Sequence, residues 1–286
     1  MFARRFGIPQ VFSDPLELAS SHDWDALVLA VAPHAALDLL AVAAATGRPV
    51  LVEKPVALCS TVLRPYATRW PNVLVGYNRR FYTPVQEARQ FATFGPPCLA
   101  QLEIPEHAPL RAVPGSGVDP TRVLTHSVHG FDLARFILGP LSADLVRPRV
   151  FGTGRDGAAA LLRSSRGDVV QYVGNWNAPA NVSLTLDRAG SRYQLRPFES
   201  GAIYEGMTVV EADAETPIRR YTPTLMRRVA LDPCDQLFKP GFVQQAGALL
   251  RLCRNERGDT AATLEDAVAA LEMAEAVTGA STSGDL

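Results

Sequence analysis

The stretch Val50-Leu51-Val52-Glu53-Lys54-Pro55 decides the fold class of this 286-residue chain. Its apolar half suits a short strand that is covered on both faces, and polar residues follow directly where the strand ends. Upstream, the apolar run 25–32 suits another strand covered on both faces, and the Ala/Leu-rich segment 35–46, which stops at Gly47, predicts a helix between the two. The order strand, helix, strand is the crossover of a parallel sheet.

The alternation of strand and helix continues downstream. Segment 58–69 can form a helix, 72–76 a third strand and 84–94 another helix, which closes at a Gly-Pro-Pro break. We therefore predict an α/β fold that begins with an incomplete Rossmann-type domain over residues 1–95.

Short β-type segments dominate the rest of the chain, at 98–104, 158–163, 168–175 and 181–186. The turn 164–168 between two apolar segments is a hairpin signal and indicates antiparallel pairing. Helices are predicted at 127–138 and at 264–278. Residues 96–286 are therefore predicted to form an α+β domain with an open, mostly antiparallel sheet.

Charge and composition argue against several classes of protein. The net charge of −1 and the pI near 6.5 give no basic field for a phosphate backbone, so we expect no nucleic-acid partner. No apolar run approaches the roughly 20 residues that cross a bilayer, and the start lacks a signal-peptide core, so we expect a cytoplasmic protein without a membrane partner. The four cysteines lie far apart, which predicts neither a zinc site nor a disulfide framework.

Lysine is rare in this chain. Of 28 basic residues only Lys54 and Lys239 are lysines. A chain that places arginine at nearly every basic position retains lysine where a compact ammonium must give or share a proton. Lys54 is therefore a candidate catalytic residue, and the alternative interpretation is a solvated surface charge.

One motif resembles a dinucleotide-binding turn but lacks its context. Gly152-Thr153-Gly154-Arg155-Asp156-Gly157 fits the G-x-G-x-x-G pattern, which binds pyrophosphate only where it joins a strand to a helix. The apolar stretch that follows is about five residues long, too short for such a helix. We predict a loop between two strands of the sheet.

Taken in order, the motifs of this chain resemble the Gfo/Idh/MocA family, the glucose-fructose oxidoreductase and inositol dehydrogenase group of NAD(P)-dependent sugar oxidoreductases. The resemblance rests on Pro33-His34, on Glu53-Lys54-Pro55, on Gly76-Tyr77-Asn78-Arg79-Arg80-Phe81, on His129-Gly130-Phe131-Asp132-Leu133, and on 263–270. These motifs span most of the chain.

The resemblance implies hydride transfer between a nicotinamide, NAD or NADP, and a hydroxyl or keto carbon of a sugar or sugar-nucleotide derivative. It gives catalytic roles to Lys54 and His129. A histidine can accept the hydroxyl proton, and a neighbouring ammonium can stabilise the developing alkoxide. The implied cofactor-binding residues are Pro33, His34, Glu53, Lys54 and Pro55, with the Lys54–Pro55 bond in the cis form.

The substrate-binding residues implied by the resemblance are Asn78, Arg80, Thr125, His126 and Lys239. Arg80 and Lys239 would meet a phosphate or carboxylate, although surface ion pairing explains such residues equally well. Thr125 stands where many family members carry an aspartate, so a hydroxyl takes the place of a charge. His126 or Asp119 would compensate for the missing charge, and the alternative for His126 is a surface residue at the start of a helix.

The family's domain opens with a strand, a glycine turn, a helix and a second strand, about 30 residues that this sequence does not show. A start codon assigned too late, a truncated pseudoenzyme, and a subunit completed by another chain are the three open explanations. The alternative to an oxidoreductase is therefore a non-catalytic binding or scaffold protein. The acid that distinguishes NAD from NADP belongs to that second strand, so this choice stays open. Relatives imply a homodimer or tetramer.

Overall fold

The computed structural model describes residues 2–21, 23–105, 128–151, 157–175 and 178–278. The chain divides into two compact units. The first comprises Met1–Gly76 with Ala246–Val268, and the second Tyr77–Gln245 with Ala269–Leu286. Segment 77–95 therefore belongs to the second unit and segment 246–268 to the first, and the two functional domains stay a prediction.

The first unit contains a parallel three-stranded sheet in the order β1-β2-β3, as the predicted crossover requires. Leu27 pairs with Val50 and Leu51 with Leu74, so the strands run in simple register. The elements are α1 (Phe2–Arg5), α2 (Pro15–Ser20), β1 (Leu27–Leu29), α3 (Pro33–Ala45), β2 (Val50–Val52), α4 (Ser60–Leu63), a 3₁₀ helix (Arg64–Tyr66) and β3 (Val73–Val75).

Two local predictions for this unit were wrong. Strand β1 is buried on one face only, because Leu27 and Leu29 point inward while Val28 is 56% exposed at the edge of the sheet. The helix predicted at 58–69 is reduced to α4 and one 3₁₀ turn. Pro65 lies in that turn and has no backbone N–H, so it cannot continue an α-helical ladder.

The second unit contains an eight-stranded sheet in the order β11-β10-β9-β8-β4-β7-β6-β5, antiparallel except for the β4–β7 pair. Its elements are a 3₁₀ helix (Asn78–Phe81), α5 (Thr83–Thr93), β4 (Leu99–Glu103), α6 (Val128–Leu138), β5 (Leu141–Phe151), β6 (Gly157–Ser164), β7 (Val169–Asn175), β8 (Ser183–Arg188), β9 (Ser191–Leu195), β10 (Gly201–Val210), β11 (Arg220–Val229) and α7 (Cys234–Leu237). Helices α8 (Phe242–Leu252) and α9 (Leu264–Thr278) follow. The predicted mixed α/β fold with a mostly antiparallel second sheet is confirmed.

One face of this sheet carries the core of the second unit. Strand β7 alternates buried and less buried residues, which places Val170 and Tyr172 on the inner face. Helices α5 and α6 and the end of α9 contribute the other side of the same cluster, with Val85, Phe131 and Val277 fully buried. Each such side chain contributes about 1.5–3 kcal/mol by leaving water.

The predicted hairpin at 164–168 is confirmed, since β6 and β7 pair antiparallel on either side of it. Asp168 is fully buried and its carboxylate accepts hydrogen bonds from the Cys98 amide, at 2.7 Å, and from the Ser164 hydroxyl. Gly167 has φ +94°, which a glycine adopts at no steric cost.

The G-x-G-x-x-G match connects two antiparallel strands. Phe151, at the end of β5, pairs with Gly157, at the start of β6, and residues 152–156 lie outside the described part of the chain. A strand-to-strand connection offers no helix N-terminus for a pyrophosphate. The flanking strands agree with the predicted loop, and for residues 152–156 themselves the loop stays a prediction.

Candidate functional site

The predicted cofactor residues lie at one edge of the parallel sheet. Parallel strands end at the same edge, where open α/β sheets bind their ligands. Pro33 and His34 open α3 after β1, and Glu53, Lys54 and Pro55 follow β2. Hydrogen bonds between the strands continue up to this edge. The Glu53 amide donates to the Leu29 carbonyl and the Gly76 amide to the Val52 carbonyl, both at 2.8 Å.

Backbone atoms approach one another closely at this edge. The Glu53 carboxylate accepts a hydrogen bond from the Lys54 amide at 3.3 Å. A side-chain carbon added at Gly76 would lie 2.8 Å from Glu53 Oε2 and 3.2 Å from its Cα, so a larger residue there would displace the Glu53 carboxylate. The Lys54–Pro55 bond is cis, as predicted. At this edge Glu53 and Lys54 are half-buried, and Pro55 and Gly76 are buried.

His129 lies in the first turn of α6, in the second unit, and is 9% exposed. Its ring meets the ring of Tyr77 edge-on, with centroids 5.6 Å apart and an interplanar angle of 75°. Asp132 follows three residues later and therefore lies on the same side of the helix. The buried imidazole therefore packs against the Tyr77 ring, and its backbone belongs to the first turn of α6.

A buried ion pair anchors α6. Arg80 Nε lies 2.9 Å from Asp132 Oδ2, and Arg80 Nη2 lies 2.6 Å from Oδ1, so the contact is bidentate. The two side chains are 4% and 1% exposed, and the guanidinium also lies over the Phe136 ring at 5.0 Å. As a substrate-binding residue Arg80 stays a prediction, and this geometry favours an anchoring role.

Gly130 lets α6 approach the residue that follows β4. A side-chain carbon at Gly130 would overlap the buried side chain of Ile104. Three contacts hold the first turns of α6: the Arg80–Asp132 ion pair, the ring contact of His129 with Tyr77, and the close approach of Gly130 to Ile104. These contacts position His129.

Asn78 is joined to the loop that carries Lys239. The Asn78 amide donates to the Pro240 carbonyl at 2.9 Å, although the two residues are 162 positions apart. The Gly241 amide donates to the buried carboxylate of Asp235 at 2.8 Å. Lys239 itself is exposed, with Nζ 4.6 Å from the Phe242 ring centre. Two predicted substrate residues therefore belong to one local cluster.

Tyr82 completes this cluster. A side-chain carbon at Gly241 would lie 3.1 Å from its ring, and its hydroxyl hydrogen-bonds the Asn78 side chain. Burial raises the pKa of the Tyr82 phenol, and Glu199 raises it further. The phenol therefore stays protonated at neutral pH and acts as a neutral hydrogen-bonding group.

Substitution of Gly241 by alanine is expected to lower the free energy of unfolding by about 3 kcal/mol. Gly241 has φ +76°, and its added carbon would overlap the Asn78 carbonyl oxygen. Gly190 is the matched control, because it has φ +82° and open space around it. Gly190→Ala should cost only about 1–2 kcal/mol in the same urea titration. Equal losses in both variants would contradict the close approach.

Thr125 and His126 lie outside the described residues, so their predicted contacts stay predictions. Sequence reasoning missed the anchoring and loop-holding residues Tyr77, Tyr82, Asp132 and Asp235. The i, i+3 spacing of His129 and Asp132 was a usable signal for one of them. No sequence signal pointed to Asp235, because the hydrogen-bond partner of its carboxylate is a backbone amide.

Comparison with known proteins gives matches in sequence and in structure. The chain is 28% identical over 147 residues to a myo-inositol 2-dehydrogenase of Thermotoga maritima, covering 47% of this chain and 42% of that protein. It is 33% identical over 138 residues to an inositol 2-dehydrogenase 4 of Saccharopolyspora erythraea, covering 46% and 40%. The matches therefore span less than half the length of these curated relatives. No family model matches the chain.

The fold is similar to that of solved Rossmann-type dehydrogenases. A levoglucosan dehydrogenase, solved in complex with NADH and levoglucosan, superposes with a TM-score of 0.70 at 17% identity and covers 97% of this chain and 83% of that chain. At 17% sequence identity, this structural similarity establishes a shared fold. Together with the sequence similarity to inositol dehydrogenases, it confirms that this chain resembles the Gfo/Idh/MocA family. Among the described residues, no helix is long and apolar enough to span a membrane.

Proposed function

We propose that this chain is an NAD(P)-dependent oxidoreductase that transfers a hydride to or from a hydroxyl or keto carbon of a sugar or sugar-nucleotide derivative. The observation that carries the proposal is His129, an almost fully buried imidazole whose helix is anchored by the Arg80–Asp132 ion pair. Such anchoring is what a general base requires, because proton transfer depends on a fixed geometry. The relatives named above are inositol and levoglucosan dehydrogenases.

In the proposed reaction, His129 accepts the proton of the substrate hydroxyl as the carbon–hydrogen bond breaks. Lys54 donates a hydrogen bond to the same oxygen and stabilises its developing negative charge. NAD(P)⁺, when bound, supplies the acceptor of the hydride. In the reverse direction His129 returns the proton to the carbonyl oxygen.

The residues at the edge of the parallel sheet fit a nicotinamide cofactor. Pro33, His34, Glu53, Lys54 and Pro55 would hold it, because they lie where the chain leaves β1 and β2. Helix α3, 13 residues long, begins at this edge without a side-chain cap, although Pro33 has no N–H and the Ala35 amide already donates to the Ala32 carbonyl at 3.0 Å. Both NAD and NADP remain candidates.

The proposed substrate contacts are Asn78, Arg80, Thr125, His126 and Lys239. We place the protein in the cytoplasm and propose that it forms a homo-oligomer, a dimer or tetramer. We also propose two functional domains. Residues 1–95 would bind the cofactor, and residues 96–286 would bind the substrate and form the oligomer contacts.

A non-catalytic binding or scaffold protein is the second candidate. The observation that favours it is that the G-x-G-x-x-G match is flanked by the paired antiparallel strands β5 and β6, and not by a strand and a phosphate-binding helix. This candidate keeps the second unit as a binding module and requires no hydride transfer.

Calorimetric titration with NADH and NADPH tests the choice. The chain as given and a form extended by any residues encoded in frame upstream would be titrated in parallel. We expect at least one form to bind one of the two cofactors with a dissociation constant of about 1 μM to 1 mM. Lys54→Met should weaken that binding, while Lys239→Met, the matched control, should leave it unchanged. Failure of both forms to bind would favour the scaffold protein.

A further inference from the structure

A row of polar side chains crosses the four central strands of the large sheet. Gln171 of β7 pairs with Gln101 of β4, which also pairs with Thr185 of β8. Thr185 pairs in turn with Gln194 of β9. Directly paired residues of neighbouring strands point to the same face of a sheet, so these four side chains lie side by side. We call them the polar row.

The polar row lies on the face of the sheet that is turned away from His129. Successive residues of a strand point to opposite faces, so Tyr172, which follows Gln171 on β7, points to the inner face. There the Tyr172 ring lies 5.0 Å from the Phe131 ring of α6, measured between centroids. Because α6 also carries His129, the imidazole and the polar row belong to opposite sides of the sheet.

A cavity of about 360 Å³ opens on this outer face, and all four residues of the polar row line it. Thr185 is only 8% exposed although it points away from the core, so its neighbours on the same face must cover it. Adjacent strands are about 4.8 Å apart, which places the backbones of Gln101 and Gln194 about 10 Å apart on either side of Thr185. Thr185 therefore forms the floor of the cavity, and the two glutamines form opposite walls. The volume is near the lower end of the range for ligand sites and suits one small ring.

Every side chain of the polar row can both donate and accept hydrogen bonds. An amide group has two N–H donors and an acceptor oxygen, and a hydroxyl group donates one proton and accepts at its lone pairs. Within the described residues, these four side chains have no hydrogen-bond partner in the protein. Water satisfies them in the free protein, so a ligand must replace that water without leaving a donor or an acceptor unpaired.

The charged residues beside the polar row are paired with one another. Arg192 binds Asp187 at two points, with Nε 2.6 Å from Oδ1 and Nη2 2.9 Å from Oδ2. Arg196 Nη2 lies 3.4 Å from Glu103 Oε2. Each guanidinium thus already has a carboxylate partner, and an anionic ligand would have to displace one of them. The cavity therefore favours a ligand without charge.

We propose that this cavity binds a neutral polyhydroxylated ring, a cyclitol or a pyranose sugar, at a site separate from His129. A ring hydroxyl donates and accepts as water does, so it can replace water at the glutamine amides and at Thr185. A carboxylate only accepts, so it would leave the amide oxygens unpaired. Among the described residues that line the cavity none is aromatic, so no side chain stacks on the ring. The dissociation constant should therefore be on the order of 1 mM.

A titration followed by ¹H–¹⁵N NMR spectroscopy tests the inference. The side-chain amide signals of the polar row are assigned by their loss in the single variants Gln101→Leu, Gln171→Leu and Gln194→Leu. The probes are myo-inositol and glucose, a cyclitol and a pyranose sugar, and at least one of them should shift these signals with a dissociation constant on the order of 1 mM. The tighter of the two identifies the kind of ring. Glucuronate, which adds a carboxylate, should bind at least about 10-fold more weakly.

Gln101→Leu/Thr185→Val is the test variant, because it removes the polar groups of the floor and of one wall. It should weaken binding at least about 10-fold, read from the remaining amide signals of the polar row. Gln90→Leu/Thr222→Val is the matched control, since it makes the same two changes at exposed positions on α5 and β11. The control should bind within about twofold of the wild type. Backbone amide signals in the same spectra show whether each variant is folded.

Three results would overturn the inference. The first is the absence of a saturable shift with either ring up to about 20 mM, well above the expected dissociation constant. The second is an equal shift with glycerol, an acyclic polyol, which would indicate a general co-solvent effect. The third is equal binding by the test variant and the control variant, which would place the ligand elsewhere. The inference does not rest on hydride transfer, and the cofactor titration is independent of all three results.

Discussion

Replacement of Asp132 by alanine is expected to lower the free energy of unfolding by about 3–5 kcal/mol, the largest stability effect of any single change considered for this chain. The substitution leaves the guanidinium of Arg80 in a site where it is 4% exposed, without the carboxylate that binds it at two points. A charge buried in this way cannot regain its hydration unless the packing around α6 opens. Urea unfolding followed by circular dichroism measures the loss.

A double variant separates the cost of the unpaired charge from the value of the pair. Arg80→Met/Asp132→Leu replaces both charged groups by apolar ones, and it should recover most of the stability lost by Asp132→Ala. Glu87→Gln is the surface control, because its partner Arg227 is exposed and solvent screens that pair. If Asp132→Ala and Glu87→Gln have equally small effects, the buried ion pair does not anchor α6.

Local patterns in the sequence predicted most of the fold. The hairpin at 164–168 combines alternating apolar residues with a Ser-Ser-Arg-Gly-Asp turn, and both signals are read within about ten residues. The break in the helix after Ser60–Leu63 also had a local signal, because Pro65 has no backbone N–H to continue the helix. The exposed face at Val28 was not predictable, because an apolar run does not show how many layers cover it.

The candidate site was predicted as a set of residue types but not as a set of contacts. The Glu53-Lys54-Pro55 motif and His129 were found by resemblance, and these motifs are contiguous. In the second unit, residues that contact one another lie far apart in the sequence. Arg80 and Asp132 are 52 positions apart, and Asn78 and Pro240 are 162 positions apart. Such pairs follow from tertiary packing and leave no periodic signal in one sequence.

If the chain catalyses the proposed oxidation of a sugar hydroxyl, substitution of His129 by glutamine is expected to lower kcat by about 10²–10⁴-fold, the range for loss of a positioned general base. Glutamine keeps a polar side chain of similar reach and cannot carry the proton. KM should change little, because the proton is transferred in the transition state and not in the ground-state complex. Initial rates of NAD(P)H formation with myo-inositol and levoglucosan as probes, across a pH series, provide the readout.

The two lysines of the chain give the contrast that makes this test specific. Lys54→Met should lower kcat by a similar factor, because the ammonium stabilises charge that develops only in the transition state. Lys239→Met removes the same charge from an exposed loop, so it should raise KM for an anionic sugar and leave kcat nearly unchanged. The His129 variant should also lose the rise in rate with pH that a general base produces. An unchanged kcat in both the His129 and Lys54 variants would exclude them from catalysis, whatever the chain proves to bind.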